Sequence, residues 1–193
     1  MRLRVGCCSG GDPVNVDCQD IDSTNALMLA AKHGHCSIVE VLLEAASRRQ
    51  QHNCLNACNK HKQTALHEAA KRGHVAIAAA LIFAGATPSC ADRWLNRPLQ
   101  YAALHGHAAV VALLAGPHGG NNVDAVNLGR RTALHTAAQN GHDDIAGILL
   151  EAGAKTTVRD SDGDTPTLLA GRYQHRTVFE LLVSQTLDRL LSH

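Results

Sequence analysis

The apolar positions along the chain fall into short segments that come in pairs. The first of each pair carries a Leu followed three and four residues later by two small residues: Leu27 with Ala30 and Ala31, Leu66 with Ala69 and Ala70, Leu99 with Ala102 and Ala103, and Leu134 with Ala137 and Ala138. That spacing predicts one buried stripe on a helix of about two turns. The second of each pair places Ile, Val and Leu at helical spacing: Ile38, Val39, Leu42 and Leu43; Ile77, Leu81 and Ile82; Val110, Val111 and Leu114; Ile145, Leu149 and Leu150; Val178, Leu181 and Leu182. Between the two lies Gly-His, at Gly34-His35, Gly73-His74, Gly106-His107 and Gly141-His142, or Gln174-His175 in the last pair. Polar turns built on Asp20, Asn59, Asp92, Asn127 and Asp160 separate the pairs, and these side chains suit turn chemistry.

The pattern is an internal repeat. Its first helices begin after Asn25, Thr64, Arg97, Thr132 and Thr165, at intervals of 39, 33, 35 and 33 residues. A Thr at that place is expected to accept an orphan backbone N–H, and Pro98 and Pro166 follow where proline is tolerated. The paired alanines let neighbouring helices approach closely. The glycines stand where a left-handed residue is expected to end the first helix. The unit is helix, turn, helix and loop, and a short unit of this kind buries its apolar face only by stacking on its neighbours.

The string Thr-Ala-Leu-His-x-Ala-Ala-x-x-Gly-His occurs complete at 64–74 and 132–142 and in weaker form three more times. In this the chain resembles the ankyrin-repeat family over roughly residues 12–185. The resemblance implies an all-α ankyrin-repeat solenoid of about five helix-turn-helix repeats with hairpin-like loops, stacked along a curve. The repeats are expected at 20–53, 59–91, 92–126, 127–159 and 160–193 of a single domain covering 12–193, after a flexible N-terminus over 1–11. It implies that His67 and His135 hydrogen-bond within and between repeats. It further implies a concave groove lined by first helices and loop tips, used to bind another protein. In that register the tips include Lys60, His61, Arg93, Trp94 and Arg131, and the groove side of the first helices includes Lys32, His33, Lys71, Arg72, His105, Arg172 and Tyr173. These twelve are the expected partner-binding residues.

Departures from the repeat also carry information. The six extra residues of the first interval fall at 45–54, where they either lengthen the second helix or form a loop. The two extra of the third fall around Gly116-Pro117, which should end a helix early. The fifth repeat has Thr167 where the buried Leu belongs, and its second helix is expected to continue through Leu187, Leu190 and Leu191 to cover the last core layer. Residues 1–20 supply no full repeat before the first.

Composition narrows the chemistry. Hydrophobic residues make up 45% of the chain and aromatics only 3%, so the core must be aliphatic. Lys and Arg number 18 against 17 Asp and Glu, which demands neither nucleic acid nor an acidic membrane. Seven cysteines, no apolar leader and no long apolar run predict an intracellular protein, cytoplasmic or nuclear, with reduced thiols. His52, Cys54, Cys58 and His61 are compact enough to suggest zinc, but Leu55 to Asn59 fit the ordinary repeat turn, so no metal is expected. Nucleophile elbow, phosphate loop and zinc-protease motifs are missing, so neither catalysis nor a cofactor is expected.

The function expected is therefore a monomeric protein-binding adaptor or scaffold. The seven groove cations favour a partner with an acidic surface, and the lone Trp94, outside every core position, is a candidate anchor. Nucleic acid fits poorly, because a stacking platform needs interleaved aromatics. The other reading is a regulatory or targeting segment of a larger enzyme or receptor, which the missing first cap favours.

Overall fold

The computed structural model describes residues 19–48, 54–117 and 122–191, the last four as backbone only. The proposed flexible stretch 1–11 and His52 lie outside these residues. Ten helices occur among the described residues: α1 (Ala26–His33), α2 (Cys36–Arg48), α3 (Ala65–Arg72), α4 (Val75–Phe83), α5 (Pro98–Leu104), α6 (Ala108–Ala115), α7 (Ala133–Asn140), α8 (Asp143–Glu151), α9 (Pro166–Arg172) and α10 (Arg176–Leu191). The odd-numbered helices pack successively on one another in an inner layer, and the even-numbered ones form an outer layer behind them. Five helix pairs in two layers make an all-α repeat solenoid.

The core follows the sequence register. Leu27, Leu66 and Leu134 are fully buried, and the small pairs Ala69-Ala70, Ala102-Ala103 and Ala137-Ala138 have no exposure. Every added methyl group at such closely packed positions would force the layers apart. Val39, Ile77, Leu81, Val110, Val111, Leu114, Ile145, Leu149, Val178 and Leu182 fill the space between layers. Ile38 departs from the expected pattern and is exposed, one helical position off the buried stripe that Val39 and Leu42 define.

Hydrogen bonds through a polar side chain near the start of the first helix tie each of the first four repeats to the next, through histidine in the second and fourth. Thr64 N–H donates to His67 Nδ1 at 3.1 Å, which leaves the Nε2 proton to reach Asn96 O of the following loop at 3.2 Å. His135 repeats this with Thr132 N–H and Asp164 O. The third repeat achieves the same with an amide: Gln100 Oε1 accepts Arg97 N–H, and its Nε2 donates to Arg131 O at 2.9 Å and Ala125 O at 3.1 Å. In the first repeat Asn25 does both jobs, capping α1 at Met28 N–H and donating to Cys54 O. Leu168 holds the corresponding place in the fifth and is half-exposed, since no further repeat follows it among the described residues.

The Gly-His pair forms a second tie. Gly73 takes φ +75°, and a Cβ on it would lie 2.6 Å from His107 Nδ1 of the next repeat. The glycine is thus needed both for its left-handed backbone and for the imidazole that rests on it. His107 Nε2 then donates to Lys71 O at 3.2 Å, and His175 does the same to Gln139 O at 3.0 Å.

Two irregularities behave as their residues dictate. α2 has 13 residues against 9 in α4, so part of the first insertion is helix. α6 stops at Ala115 because Gly116, held extended before Pro117, cannot continue the turn. At the far end α10 runs on to Leu191, as the apolar positions beyond residue 185 predict.

Candidate partner-binding face

Each loop tip is a tight turn around one carboxylate or amide. Asp92 Oδ1 accepts Trp94 N–H at 2.9 Å and Asn96 N–H at 2.8 Å, and Asn59, Asn127 and Asp160 do equivalent work in their own tips. The third residue after Asp20 and after each of these four side chains takes a positive φ, at Ser23, Lys62, Leu95, Arg130 and Gly163. That bend presents the two residues before it at the edge of the stack. One backbone bond joins every tip to the next: Lys60 N–H to Asp22 O, Arg93 N–H to His61 O, Leu128 N–H to Trp94 O and Ser161 N–H to Gly129 O, each 3.0 Å. The tips therefore form a ladder.

Ten of the twelve residues expected at the site are exposed, and Lys71 and Arg131 are partly so. Trp94 stacks on His61 of the preceding tip, with ring centroids 5.5 Å apart and planes 21° from parallel. The indole stays 44% exposed, so it packs along the ladder rather than folding into its own loop. Beneath it Tyr101 OH donates to Asp92 Oδ2 at 2.7 Å and accepts from Gln63 Nε2 at 2.9 Å. Burial, with the Asp92 bond and charge, pushes this phenol up to about 12. Lys71 Nζ lies 5.8 Å over the Tyr101 ring. Neither Tyr101 nor the tip residue Gln63 is among the twelve residues expected to bind, and only the cross-repeat contact reveals their pairing.

The electrostatics divide the face. Arg131 Nε pairs with the buried Asp160 at 3.1 Å and reaches Asp162 at 3.5 Å; Arg172 pairs with Asp164, and Lys60 with Asp22. Burial pushes the Asp160 carboxyl up, but the Asp164 N–H, Arg131 and the Asp162 N–H outweigh it and hold the group below the usual carboxylate range. Lys32, Lys71, Arg72 and Arg93 have no ion pair among the described residues. The adjacent His105 is lowered by burial and by the charges of His107, Lys71 and Arg72. Of the seven groove cations expected from the sequence, three, Lys60, Arg131 and Arg172, are compensated by acids of the tips themselves. Between the two zones a recess of about 190 Å³ is lined by Asn96, Gln100, Tyr101, Leu104, Asn127, Arg131, Thr136 and Gln139. Its amide groups are already engaged in part, Asn127 Nδ2 with Asn96 Oδ1 at 3.0 Å and Gln139 Oε1 with Arg131.

No group of three metal-ligating side chains occurs among the described residues. Cys54 is buried and Cys58 exposed. No helix among the described residues is long and apolar enough to cross a membrane.

Comparison with known proteins agrees with this architecture. The family model for "Ankyrin repeats (3 copies)" matches residues 7–92 and again 99–189. The chain is similar to human cyclin-dependent kinase inhibitor 2A, 39% identical over 61% of this chain and 74% of that protein. It is similar to rat cyclin-dependent kinase 4 inhibitor B, 37% identical over 64% of this chain and 93% of the inhibitor. A third relative is the tyrosine-protein kinase HTK16 of Hydra vulgaris, 30% identical over 80% of this chain, which spans only 20% of the kinase.

Proposed function

The chain belongs to the ankyrin-repeat family, and on that premise we propose that it is a monomeric, non-catalytic adaptor that binds a partner protein through its inner face. The observation that carries this reading is that Lys32, Lys71, Arg72 and Arg93, all on the first three repeats, have no ion pair among the described residues, and that Trp94 of the same repeats is half-exposed. Unpaired charge steers a partner of opposite sign, and a large aromatic beside it supplies contact energy. The partner surface is therefore acidic with an apolar anchor. The two inhibitors, named for the kinases they act on and matched over most of their length, support binding as the whole task of a stack this size. The match to a fifth of a tyrosine kinase supports the second reading, a regulatory segment of a larger enzyme.

The test is affinity capture from lysate with wild type, Trp94→Ala and Lys71→Glu/Arg72→Glu in parallel. A partner held by wild type and lost by both variants, with unchanged helical content, is the expected result. Equal capture by all three would move the interface off this face. Sedimentation of the isolated chain as a monomer is expected.

A further inference from the structure

The ladder sets the second residue of every tip in one row: Asp22, His61, Trp94, Gly129 and Asp162. On one side the Trp94 indole rests on His61. On the other the next position is Gly129, which puts no side chain beside it. The backbone does not require glycine there, because Gly129 is absent from the residues of positive φ. Sterics do not require it either: a Cβ would lie 3.4 Å from Asn127 Oδ1 and 4.0 Å from Ser161 Oγ, ordinary contacts. Gly129 is thus unlike Gly73, which the fold demands. Its effect is an open step against the indole; Leu95 and Leu128, next to Trp94 and Gly129 in the chain, are exposed. Arg93 and Arg130 flank the step, exposed and without an ion pair among the described residues. Of the acids beside it, Asp92 is turned inward onto Trp94 N–H, Asn96 N–H and Tyr101 OH, and Asp162, next after Gly129 in the row, is engaged by Arg131 at 3.5 Å.

We propose that the step over Gly129 is an anchor slot for one aromatic side chain of the partner, carried in an acidic peptide segment. An aromatic ring fits because a flat indole offers offset stacking, and the exposed leucines add apolar surface. The segment is acidic because the two flanking arginines meet it first. A nucleobase fits less well: a lone ring without a second stacking residue along the strand is not a nucleic-acid platform. This inference rests on the protein-binding reading above and specifies what that face takes.

Trp94 is the single tryptophan of the chain, so one indole N–H resonance reports on the slot. The probe is an end-blocked pentapeptide with phenylalanine between two pairs of glutamates. Controls replace its phenylalanine with alanine, or its glutamates with lysines. We expect the resonance to shift and saturate with the probe below about 10 mM, and affinity to fall about tenfold or more with either control. Gly129→Phe fills the step from the chain's own side and should abolish the shift; Gly129→Gln serves if the phenylalanine variant misfolds. No shift with the probe, an equal shift with the alanine control, undiminished binding by the filled variants, or a stronger response to an oligouridylate would each overturn the slot. In lysate capture, a partner lost by Lys71→Glu/Arg72→Glu but retained by Gly129→Phe would sink the slot and leave the adaptor reading standing; loss of neither would sink the adaptor reading.

Discussion

Both ends of the inner face carry cations, Lys32 and Lys71 at the register position that Arg172 holds in the fifth repeat, and use them differently. In the first three repeats Lys32, Lys71, Arg72 and Arg93 have no acidic partner among the described residues. In the last two, Arg131 and Arg172 are held by Asp160, Asp162 and Asp164 of the adjoining tips. Arg131 and Arg172 have their charge spent on acids of the tips, as Lys60 has on Asp22, while Lys32, Lys71, Arg72 and Arg93 can still attract a partner. Register alone therefore does not mark a binding residue. On the proposed reading, contact belongs to the first zone and the indole, structural work to Arg131, and Arg172 is merely compensated by Asp164.

The largest expected difference is in stability. The Asp160 side chain is fully buried and accepts Arg131 Nε, Asp162 N–H and Asp164 N–H, so Asp160→Ala should cost about 2–4 kcal/mol. Asp20 accepts two N–H groups in an exposed tip of the first zone, and Asp20→Ala should cost about 1 kcal/mol. Equal losses in chemical denaturation would erase the distinction between the zones.

Acid is the next lever. Burial drives the His67 imidazole down to about 4 from 6.5, and its Nδ1, where the proton must go, already accepts Thr64 N–H. On unfolding the ring regains its ordinary affinity, so between pH 6.5 and 4 the unfolded chain binds a proton that the folded chain refuses. The stabilisation is complete above about 6.5, is lost progressively as pH falls, and levels off below about 4. Acidifying from pH 7 to 5 should cost about 2 kcal/mol from this ring. Burial lowers His135 in the second zone too, so both ends contribute. His67→Gln should keep the tie, as Gln100 does in the third repeat, and flatten that part of the pH profile. A profile unchanged by the substitution would locate the acid sensitivity elsewhere.

Binding should separate the zones by a smaller energy. Lys71→Glu/Arg72→Glu should weaken the partner about tenfold or more, equivalent to about 1.4 kcal/mol, with the melting temperature unchanged. Arg172→Glu should change affinity less than about threefold, since Asp164 already compensates that charge. The reverse order in calorimetric titration would transfer the interface to the last repeats. The smallest effect belongs to Arg172→Ala on stability, below about 0.5 kcal/mol, because the arginine is 60% exposed and its pair is screened by water.

The architecture was legible because it is written in short-range periodicity. Leu66 and Ala69-Ala70, the Gly73-His74 break and the Ile77 and Leu81 stripe each lie within one helix or turn, where spacing fixes direction. The early end of α6 at Gly116-Pro117 and the long α10 were readable for the same reason. Ile38 was misplaced because two adjacent apolar residues, Ile38 and Val39, leave the facing stripe ambiguous by one position.

By itself, then, the sequence determined the repeat, its register, the aliphatic core, and which side chains stand at tips and inner helices. It determined that Trp94 lies outside the core and that His67 and His135 stand where a tie between repeats belongs. Only the tertiary structure decided what those side chains meet: Arg131 on Asp160, Tyr101 with Gln63 on Asp92, Trp94 against His61 with Gly129 beyond it. The pairs across repeats join residues about one repeat apart, 29 for Arg131 and Asp160 and 38 for Gln63 and Tyr101. A periodic pattern brings such residues into neighbouring rows, but whether two side chains meet depends on their reach and on how the stack turns one row against the next.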